Sequence, residues 1–390
     1  MICENDNSEA TYINLKKKTI YYWAPFLTEI ATSKAVINSA YSLQKYYSNY
    51  ETIIVDAIGE FSKKIDEINE KKIKIIKLKK YDLVRFLPKH GKLKSRISFL
   101  IIFITSFFGL KNILQKNKPD FLIIHLITLL PLILFFIFNF KTKCILRISG
   151  FPIMSPLRKF LWSFLLKKVD IITCPTKNTL QYLKNLKITD EAKLKLLYDP
   201  VISIREIVEK KGQNISSYND DFIAVGRLTK QKNFEFLIKN FNEVVKINND
   251  LRISIFGEGE EKKKLMSLIT KYNLEENVTL RSFKKNIFPY IQKSKSLVLT
   301  SNWEDPGFVL IESAICRTFL ISSNCKNGPV EILDNNKAGL LFEKNSSNDF
   351  VKVFNDFLNM SKEEIVNKKK NAMKKAKLFT IFNHSKDLNC

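Results

Sequence analysis

Short apolar segments alternate with longer amphipathic segments along both halves of the chain, and this alternation restricts the fold more than any other feature. In the first half, an apolar run at residues 19–23 precedes an amphipathic segment at 33–47. In the second half, a run at 222–225 precedes one at 233–246. Alternating strands and helices are typical of parallel sheets that carry helices on both faces. The pattern therefore predicts an α/β protein with two doubly wound, Rossmann-like sheets, each with a crevice at the carboxyl ends of its strands.

The same pattern predicts the remaining elements and a boundary between two domains. A length of 390 residues suits two domains of about 150 to 200 residues each. Residues 201–219 are polar, so we place the junction there, between a first domain at 1–200 and a second at 220–376. The other strands are predicted at 52–56, 72–78, 121–126, 144–148, 169–174, 193–198, 252–256, 278–281, 297–300 and 319–322, and the other helices at 176–186, 260–272 and 308–315.

The net charge of +25 comes mainly from lysine, because only nine of the 64 basic residues are arginine. Proteins that read bases or clamp nucleic-acid phosphates rely on the forked guanidinium group of arginine. The composition therefore disfavours a nucleic-acid partner and favours an anionic membrane surface or a nucleotide substrate. A basic protein that binds nucleic acid stays open as an alternative.

The six cysteines stand at positions 3, 144, 174, 316, 325 and 390, and no two of them have the spacing of a metal or redox motif. This usage is typical of reduced thiols in a cytoplasmic protein. The polar, acidic N-terminus does not have the pattern of a secretory signal. The three histidines, at 90, 125 and 384, are far apart in the sequence, so we expect no metal site and no resident cofactor.

Residues 121–140 form an apolar run without a formal charge that is long enough to cross a bilayer. Residues 97–110 are also apolar but too short for a span. The alternative for 121–140 is a buried strand at 121–126 and a helix beyond Ile127 with Pro131 in its first turns. We favour this second interpretation and leave a true span open. The nearby basic residues at 141–143 and 158–159 suit a protein that lies on an anionic bilayer, so we expect a peripheral location.

One candidate binding segment is a loop that follows a predicted strand and leads into a predicted helix. It contains Gly226, Arg227 and Lys232. Two cations near the positive end of a helix dipole form an anion site that suits a diphosphate. The alternative is that these are ordinary solvated side chains of a loop. A Gly-x-Gly at 257 and 259 follows the next strand, where a tight turn explains it equally well.

A second candidate segment carries two glutamates with seven residues between them. Glu304 lies just past a predicted strand and Glu312 lies on the following helix. This arrangement offers one carboxylate for sugar hydroxyls and another for ribose hydroxyls. Gly307 lets the backbone approach a ligand closely. The amides that would point at this ligand from the helix start belong to Phe308, Val309 and Leu310.

Together with the loop NGPVEIL at 327–333, these segments resemble the donor-binding half of the retaining glycosyltransferases of family 4. The Gly-Arg-Leu with a following lysine, the two glutamates and the Gly-Pro-x-Glu loop stand in the family's order and spacing over residues 220–345. The resemblance implies the GT-B fold, in which two Rossmann-like domains face each other across a cleft. It also implies that residues 377–390 form a helix that crosses back to the first domain.

The resemblance implies transfer of a hexose or N-acetylhexosamine from a nucleotide-diphosphate sugar, UDP- or GDP-linked, with retention at the anomeric carbon. Arg227 and Lys232 match the residues that hold the diphosphate, Glu304 matches the carboxylate at the donor sugar, and Glu312 the one at the ribose. The loop at 282–286, which begins with Ser282 and Phe283, takes the place of the base contacts. Metal is normally dispensable in the family, and the chain has no Asp-x-Asp motif.

The first half resembles the family less closely. Its opening looks like a bacterial surface-polysaccharide subgroup, with Ala31 and Thr32 in a turn where many relatives have glycine. His125 matches a family histidine near the reacting sugar, and a buried strand histidine satisfied by backbone is the alternative. Arg147 ends another strand and is a candidate contact of donor or acceptor. His90 and His384 lie in polar surroundings and receive no role.

These observations lead to the hypothesis of a cytoplasmic, membrane-peripheral glycosyltransferase that builds a capsule, an O-antigen or a lipopolysaccharide. Its expected partners are a nucleotide-sugar donor, a polyprenyl-diphosphate-linked glycan acceptor and an anionic membrane surface, without nucleic acid. The alternatives are an enzyme of the same fold with a soluble acceptor, as in a sucrose or glycogen synthase, and a non-catalytic nucleic-acid-binding protein.

Overall fold

The computed structural model describes residues 17–27, 31–88, 92–152, 154–215 and 218–389, and the backbone alone at 92–95. The first half forms a parallel sheet of seven strands. In chain order they are β1 (Lys18–Trp23), β2 (Tyr50–Asp56), β3 (Lys74–Lys77), β4 (Phe121–Ile124), β5 (Lys143–Arg147), β6 (Ile171–Cys174) and β7 (Leu194–Leu196).

Two of the helices around this sheet, α5 (Pro156–Leu165) and α6 (Lys177–Leu186), begin at residues that supply the expected caps. The hydroxyl of Thr176 accepts a hydrogen bond from the amide of Thr179, and Ser155 precedes a helix that has Pro156 as its first residue. Both are standard helix-start signals. The helices are α1 (Ala31–Tyr46), α2 (Ile65–Glu70), α3 (Lys92–Lys116), α4 (Leu129–Ile137), α5 (Pro156–Leu165) and α6 (Lys177–Leu186). The next helix, α7 (Ile204–Lys211), packs on the second domain, where Ile207 joins the hydrophobic core. Helix α7 lies within the polar segment where we placed the junction.

The second half forms a parallel sheet of six strands covered by further helices. The strands are β8 (Phe222–Val225), β9 (Ile253–Phe256), β10 (Val278–Arg281), β11 (Ser296–Leu299), β12 (Phe319–Ser323) and β13 (Leu340–Phe342). The helices are α8 (Phe234–Ile247), α9 (Lys262–Lys271), α10 (Phe288–Lys293), α11 (Phe308–Ile315), α12 (Pro329–Ile332), α13 (Ser347–Leu358), α14 (Lys362–Ala376) and α15 (Ile381–Leu388).

Both faces of the first sheet are covered, which is why its strands are apolar without alternation. Leu122 and Leu146 pack into one hydrophobic cluster, while the adjacent residues of the same strands, Ile123 and Ile145, pack into another. Because successive side chains of a strand point to opposite faces, each strand contributes to two cores. This confirms the prediction of parallel sheets with helices on both sides.

The strand orders place a crevice in each sheet. The first sheet runs β3-β2-β1-β4-β5-β6-β7, and the second runs β10-β9-β8-β11-β12-β13. In each sheet the chain adds strands on one side of the first strand and then continues on its other side. The first sheet reverses between β1 and β4, and the second reverses between β8 and β11. Ligands of doubly wound sheets bind at this switch point, outside the carboxyl ends of the strands. The loops after β1, β4, β8 and β11 are therefore those that build a site.

The apolar run at 121–140 divides into β4 and α4, with a break at Ile127, whose φ is 46°. The favoured interpretation of this run is confirmed. The run at 97–110 is different, because it lies inside α3, a helix of 25 residues that continues past Lys111. We judged the run at 97–110 too short for a membrane span, and this was wrong because the helix that contains it is longer than the run. Within the described part of the chain, Arg96–Lys116 is the one helical stretch long and apolar enough to cross a bilayer, by length and composition alone.

The C-terminal helix α15 crosses back to the first domain and packs on α1. The ring of Phe382 meets that of Tyr46 edge-on, with centroids 5.1 Å apart. His384 lies within 2.8 Å of both the Ser39 hydroxyl and the Tyr198 carbonyl oxygen, and burial lowers the pKa of its imidazole to about 4. This histidine, to which we gave no role, is a buried part of the domain contact.

Candidate active site

The loop after β8 is held in place by the neighbouring loop after β9. A Cβ on Gly257 would lie 1.9 Å from the Gly226 carbonyl oxygen, and one on Gly259 would lie 2.3 Å from that of Leu228. The Leu228 amide donates to the Glu258 carbonyl oxygen at 2.9 Å. The Gly-x-Gly at 257 and 259 therefore serves close packing between two loops, as its tight-turn interpretation implies.

Lys232 and Glu304 come together at the switch point of the second sheet. The Lys232 Nζ lies 2.5 Å from the Glu304 Oε1, and the Ser301 hydroxyl donates to the same oxygen at 2.5 Å. The Thr300 hydroxyl donates to the Lys232 carbonyl oxygen at 3.0 Å, so the loops after β8 and β11 are joined. The side chains of Lys232 and Glu304 are 17% and 6% exposed, which leaves their ion pair shielded from water. Arg227 lies on the exposed side of the same loop.

Glu312 is placed one turn into α11, where it meets a lysine of the first domain. The Lys34 Nζ lies 2.8 Å from the Glu312 Oε1, and both side chains are partly buried. Burial by itself would lower the pKa of Lys34, but the carboxylate of Glu312 outweighs it and the pKa is raised. Lys34 stands in the first turn of α1, which begins at Ala31, so Ala31 and Thr32 are helical rather than part of a turn.

Helix α11 begins after a glycine, and its first residues are partly or fully buried. Gly307 has a φ of 100°, a conformation that side chains other than glycine rarely adopt. The Leu310 amide donates to the Gly307 carbonyl oxygen at 3.0 Å. Phe308 is partly buried, and Val309 is buried. The predicted base-contact residues Ser282 and Phe283 lie after β10 and are exposed.

His125 follows the last residue of β4 and lines a cavity of the first domain. It is 3% exposed, and within the described part of the chain neither ring nitrogen has a hydrogen-bond partner. Its backbone amide donates to the Trp23 carbonyl oxygen at 2.8 Å. Burial, followed by the charge of Arg147, lowers the pKa of His125 well below its usual range, so the imidazole is neutral. A buried ring without partners differs from the satisfied strand histidine that was the alternative.

Arg147 is engaged on every side of its guanidinium group. Its Nε donates to the Asp199 Oδ1 at 2.8 Å, its Nη2 pairs with the other carboxylate oxygen, and its Nη1 donates to the Ser149 hydroxyl at 2.6 Å. The Ser149 hydroxyl in turn donates to the His125 carbonyl oxygen at 2.8 Å. In the structure Arg147 therefore orders the loop beside His125, and Asp199 is a partner that sequence reasoning missed.

Asp305 links the two domains directly beside Glu304. One carboxylate oxygen accepts from the backbone amide of Gly150 in the first domain, and the other accepts from the side-chain Nδ2 of Asn327 at 2.6 Å. Burial raises the pKa of Asp305 to about 6, although the charge of Arg147 acts in the opposite direction. Sequence reasoning missed this residue, and its only signal was its position between the two predicted glutamates.

The Gly-Pro-x-Glu loop also contacts the first domain. Glu331 accepts hydrogen bonds from the Lys177 amide at 2.9 Å and from the Tyr198 hydroxyl at 2.7 Å. Asn327 accepts from the Thr179 hydroxyl at 2.9 Å. In this structure the loop therefore closes one side of the cleft. No group of three or more His, Cys, Asp or Glu side chains within the described ranges is placed to hold a metal ion.

This geometry agrees with what comparison with known proteins finds. Residues 206–378 match the family model described as glycosyl transferases group 1. This segment is therefore similar to the group 1 glycosyltransferases. The matched residues include the candidate donor-binding loops that carry Gly226, Ser282, Glu304 and Glu331.

Two curated glycosyltransferases are also similar to this chain. The uncharacterized glycosyltransferase MJ1059 of Methanocaldococcus jannaschii is 32% identical over 242 residues, which cover 57% of this chain and 60% of the relative. The N-acetylgalactosamine-N,N'-diacetylbacillosaminyl-diphospho-undecaprenol 4-alpha-N-acetylgalactosaminyltransferase of Campylobacter jejuni is 34% identical over 195 residues, or 50% and 52% of the two chains. The chain thus spans about half of the length of these relatives.

Solved structures match nearly the whole chain. A glycosyltransferase from Rickettsia africae has a TM-score of 0.73 at 16% identity, covering 96% of this chain and 97% of its own. Anabaena Alr3699/HepE in complex with UDP and glucose has a TM-score of 0.72 at 13% identity, covering 95% and 98%. At this level of identity the likeness establishes the fold, which is GT-B.

Proposed function

We propose that this chain is a retaining glycosyltransferase that moves a hexose or N-acetylhexosamine from a nucleotide-diphosphate sugar to a lipid-linked glycan. The observation that carries the proposal is the shielded Lys232–Glu304 pair at the switch point of the second sheet. A cation and a carboxylate held side by side provide contacts for a diphosphate and for a sugar hydroxyl. The products would enter capsule, O-antigen or lipopolysaccharide biosynthesis.

In this proposal the donor lies along the carboxyl edge of the second sheet. Lys232 and Arg227 hold the diphosphate, and Glu304 accepts hydrogen bonds from hydroxyls of the donor sugar. Glu312 binds the ribose hydroxyls, and the loop that begins with Ser282 and Phe283 lies at the base. The amides at the start of α11 add the positive end of a helix dipole on the phosphates. The proposed binding set is completed by Gly226, Gly307, Phe308 and Val309, whereas the predicted amide of Leu310 donates instead to the Gly307 carbonyl oxygen.

The chemistry requires stabilisation of a leaving diphosphate rather than a protein nucleophile. The bond between the anomeric carbon and the phosphate oxygen breaks as negative charge develops on the diphosphate, where Lys232 and Arg227 stabilise it. The acceptor hydroxyl attacks from the same face, and its proton passes to an oxygen of the leaving phosphate. The configuration at the anomeric carbon is therefore retained. Neutral His125 is suited to donate a hydrogen bond to the reacting sugar, and the step needs no metal.

Two observations favour a lipid-linked acceptor and a peripheral position on the inner face of the cell membrane. The Campylobacter jejuni relative acts, by its name, on a diphospho-undecaprenol-linked acceptor. In addition, the first domain exposes large apolar side chains on three neighbouring helices, α3, α4 and α5. Apolar surface combined with a net charge of +25 suits an anionic bilayer.

A transfer assay tests the proposal. Purified chain is incubated with radiolabelled UDP- and GDP-sugars, with EDTA present, and with either a short isoprenoid-diphosphate-linked N-acetylglucosamine or fructose 6-phosphate as acceptor. We expect one donor to label the isoprenoid acceptor, and NMR of the product to show the donor's anomeric configuration. Labelling of fructose 6-phosphate instead would favour the soluble-acceptor alternative. An inverted product, or no transfer from any donor, would contradict the proposal.

A further inference from the structure

The first domain contains a large cavity that the donor site does not use. It has a volume of about 870 Å³, within the range of about 300 to 1,000 Å³ that small-molecule sites occupy. His125 lines it, and α3, α4 and α5 contribute other walls. The lining is mainly apolar and includes Phe99, Leu100, Phe103, Leu129, Ile133 and Trp162.

The polar side chains of this cavity have one sign of charge. Arg96, Arg147 and Arg158 line it, and among its described lining residues none is acidic. Arg147 is neutralised by Asp199, but Arg96 lies at the surface without an ion pair to any described residue. The Arg158 guanidinium lies 4.9 Å from the centre of the Trp162 ring, at the boundary between the apolar wall and solvent. The cavity therefore suits a molecule with an anionic group and an apolar chain.

The outer surface beside the cavity is also apolar. On α3, Leu100 and Phe108 are 59% and 69% exposed, and Ile97 and Ile104 are also exposed. Only 28% of the most apolar 18-residue window of this helix is buried. Soluble proteins rarely expose apolar patches of this extent without a partner. A ligand chain that emerges from the cavity would therefore continue over apolar surface rather than into water.

We propose that this cavity binds the isoprenoid chain of the acceptor, with Arg96 and Arg158 on its diphosphate and the glycan directed toward His125. The inference rests on the proposed function, because it places the acceptor of that same reaction. It assigns the long helix α3 to the wall of an acceptor site rather than to a membrane span. Length and composition alone do not distinguish these two roles, whereas the cavity and its arginines favour the first.

Binding of farnesyl diphosphate to the full chain tests this inference, with inorganic diphosphate and farnesol as partial probes. Isothermal titration should show farnesyl diphosphate binding at least about tenfold more tightly than either partial probe. Leu100→Glu, which charges the wall, should weaken it by about tenfold, and Arg96→Ala with Arg158→Ala should remove the preference over farnesol. Phe108→Glu is the matched control, because this residue is exposed on the same helix but does not line the cavity.

Lys232→Ala distinguishes binding in the cavity from binding at the donor site. Farnesyl diphosphate binding should be unchanged in this variant, because Lys232 does not line the cavity. Equal affinity for farnesyl diphosphate and inorganic diphosphate would overturn the inference, and so would equal weakening by Leu100→Glu and Phe108→Glu. If nucleoside diphosphates bind and sugar is transferred while farnesyl diphosphate does not bind, the inference about the cavity fails alone. If no donor binds, the proposed function fails first.

Discussion

The Lys34 Nζ of the first domain lies 2.8 Å from the Glu312 Oε1 of the second, so the carboxylate proposed for the ribose is already held by a cation across the cleft. The two residues are 278 positions apart in the sequence. Their contact joins the first turn of α1 to α11. The pair therefore links the first domain to the orientation of a side chain that we propose binds the donor.

Replacing Lys34 by methionine should weaken donor binding without abolishing it. A partly exposed ion pair contributes up to about 1 kcal/mol, which corresponds to roughly a fivefold rise in the dissociation constant of the nucleoside diphosphate. Isothermal titration measures it, and Lys45→Met, near the other end of α1, is the control. An unchanged constant would show that Lys34 does not support the site.

Glu304→Gln should lower turnover far more than donor affinity. The substitution keeps the shape of the side chain but removes the charge that Lys232 and the sugar hydroxyls meet. We expect a fall in kcat of roughly 100-fold with a change of less than about threefold in the dissociation constant of the nucleoside diphosphate. Glu243→Gln, on the exposed face of α8, should have no effect. Full turnover in Glu304→Gln would remove this residue from the site.

Gly257→Ala should damage the donor loop through packing alone. Its Cβ would meet the Gly226 carbonyl oxygen at 1.9 Å, so one of the two loops must move. We expect a loss of about 1 to 3 kcal/mol in the free energy of unfolding, together with weaker nucleoside diphosphate binding. Gly212→Ala is the control, because a Cβ there meets nothing within 4 Å. Chemical denaturation compares the variants, and equal stability of the two would contradict this packing.

The stability of the domain contact should depend on the ionisation of Asp305. Burial raises its pKa from 3.8 to about 6, so between these values the folded chain binds this proton more tightly than the unfolded chain. The stability of the wild type relative to Asp305→Asn should therefore fall as pH rises from about 4 to 6, by about 3 kcal/mol in total. Denaturation at several pH values measures this difference, with Asp250→Asn as an exposed control. A difference that rises with pH would contradict the assignment.

The sequence predicted the second domain closely because its strands are short, largely apolar and bounded by turns. The predicted bounds of β8 and β10, at 222–225 and 278–281, are those of the structure. The loops that carry Gly226, Lys232 and Glu304 follow directly from these strands, so their proximity could be anticipated from the topology of a doubly wound sheet.

The residues that join the two domains could not be anticipated in the same way. The contacts of Lys34, Asp305 and Glu331 depend on how two separately folded sheets face each other, which no local pattern encodes. His384 lies in a polar stretch of sequence but is buried in the domain contact. The extent of α3 was missed because we judged it by the length of its apolar run, whereas the helix continues past Lys111 to Lys116.

Nucleoside diphosphate binding tests the central claim most directly. A thermal-shift panel with UDP, GDP, ADP, dTDP and CMP, each with EDTA, should show one ligand that raises the midpoint clearly. At 100 times its dissociation constant that ligand adds about 2.7 kcal/mol of stability. Lys232→Ala should have a lower ligand-free midpoint, because the buried Glu304 carboxylate loses its partner, and relative to that midpoint it should lose most of the ligand-induced shift. A flat panel for the wild type, or an equal shift in Lys232→Ala, would contradict a diphosphate site at the loop after β8.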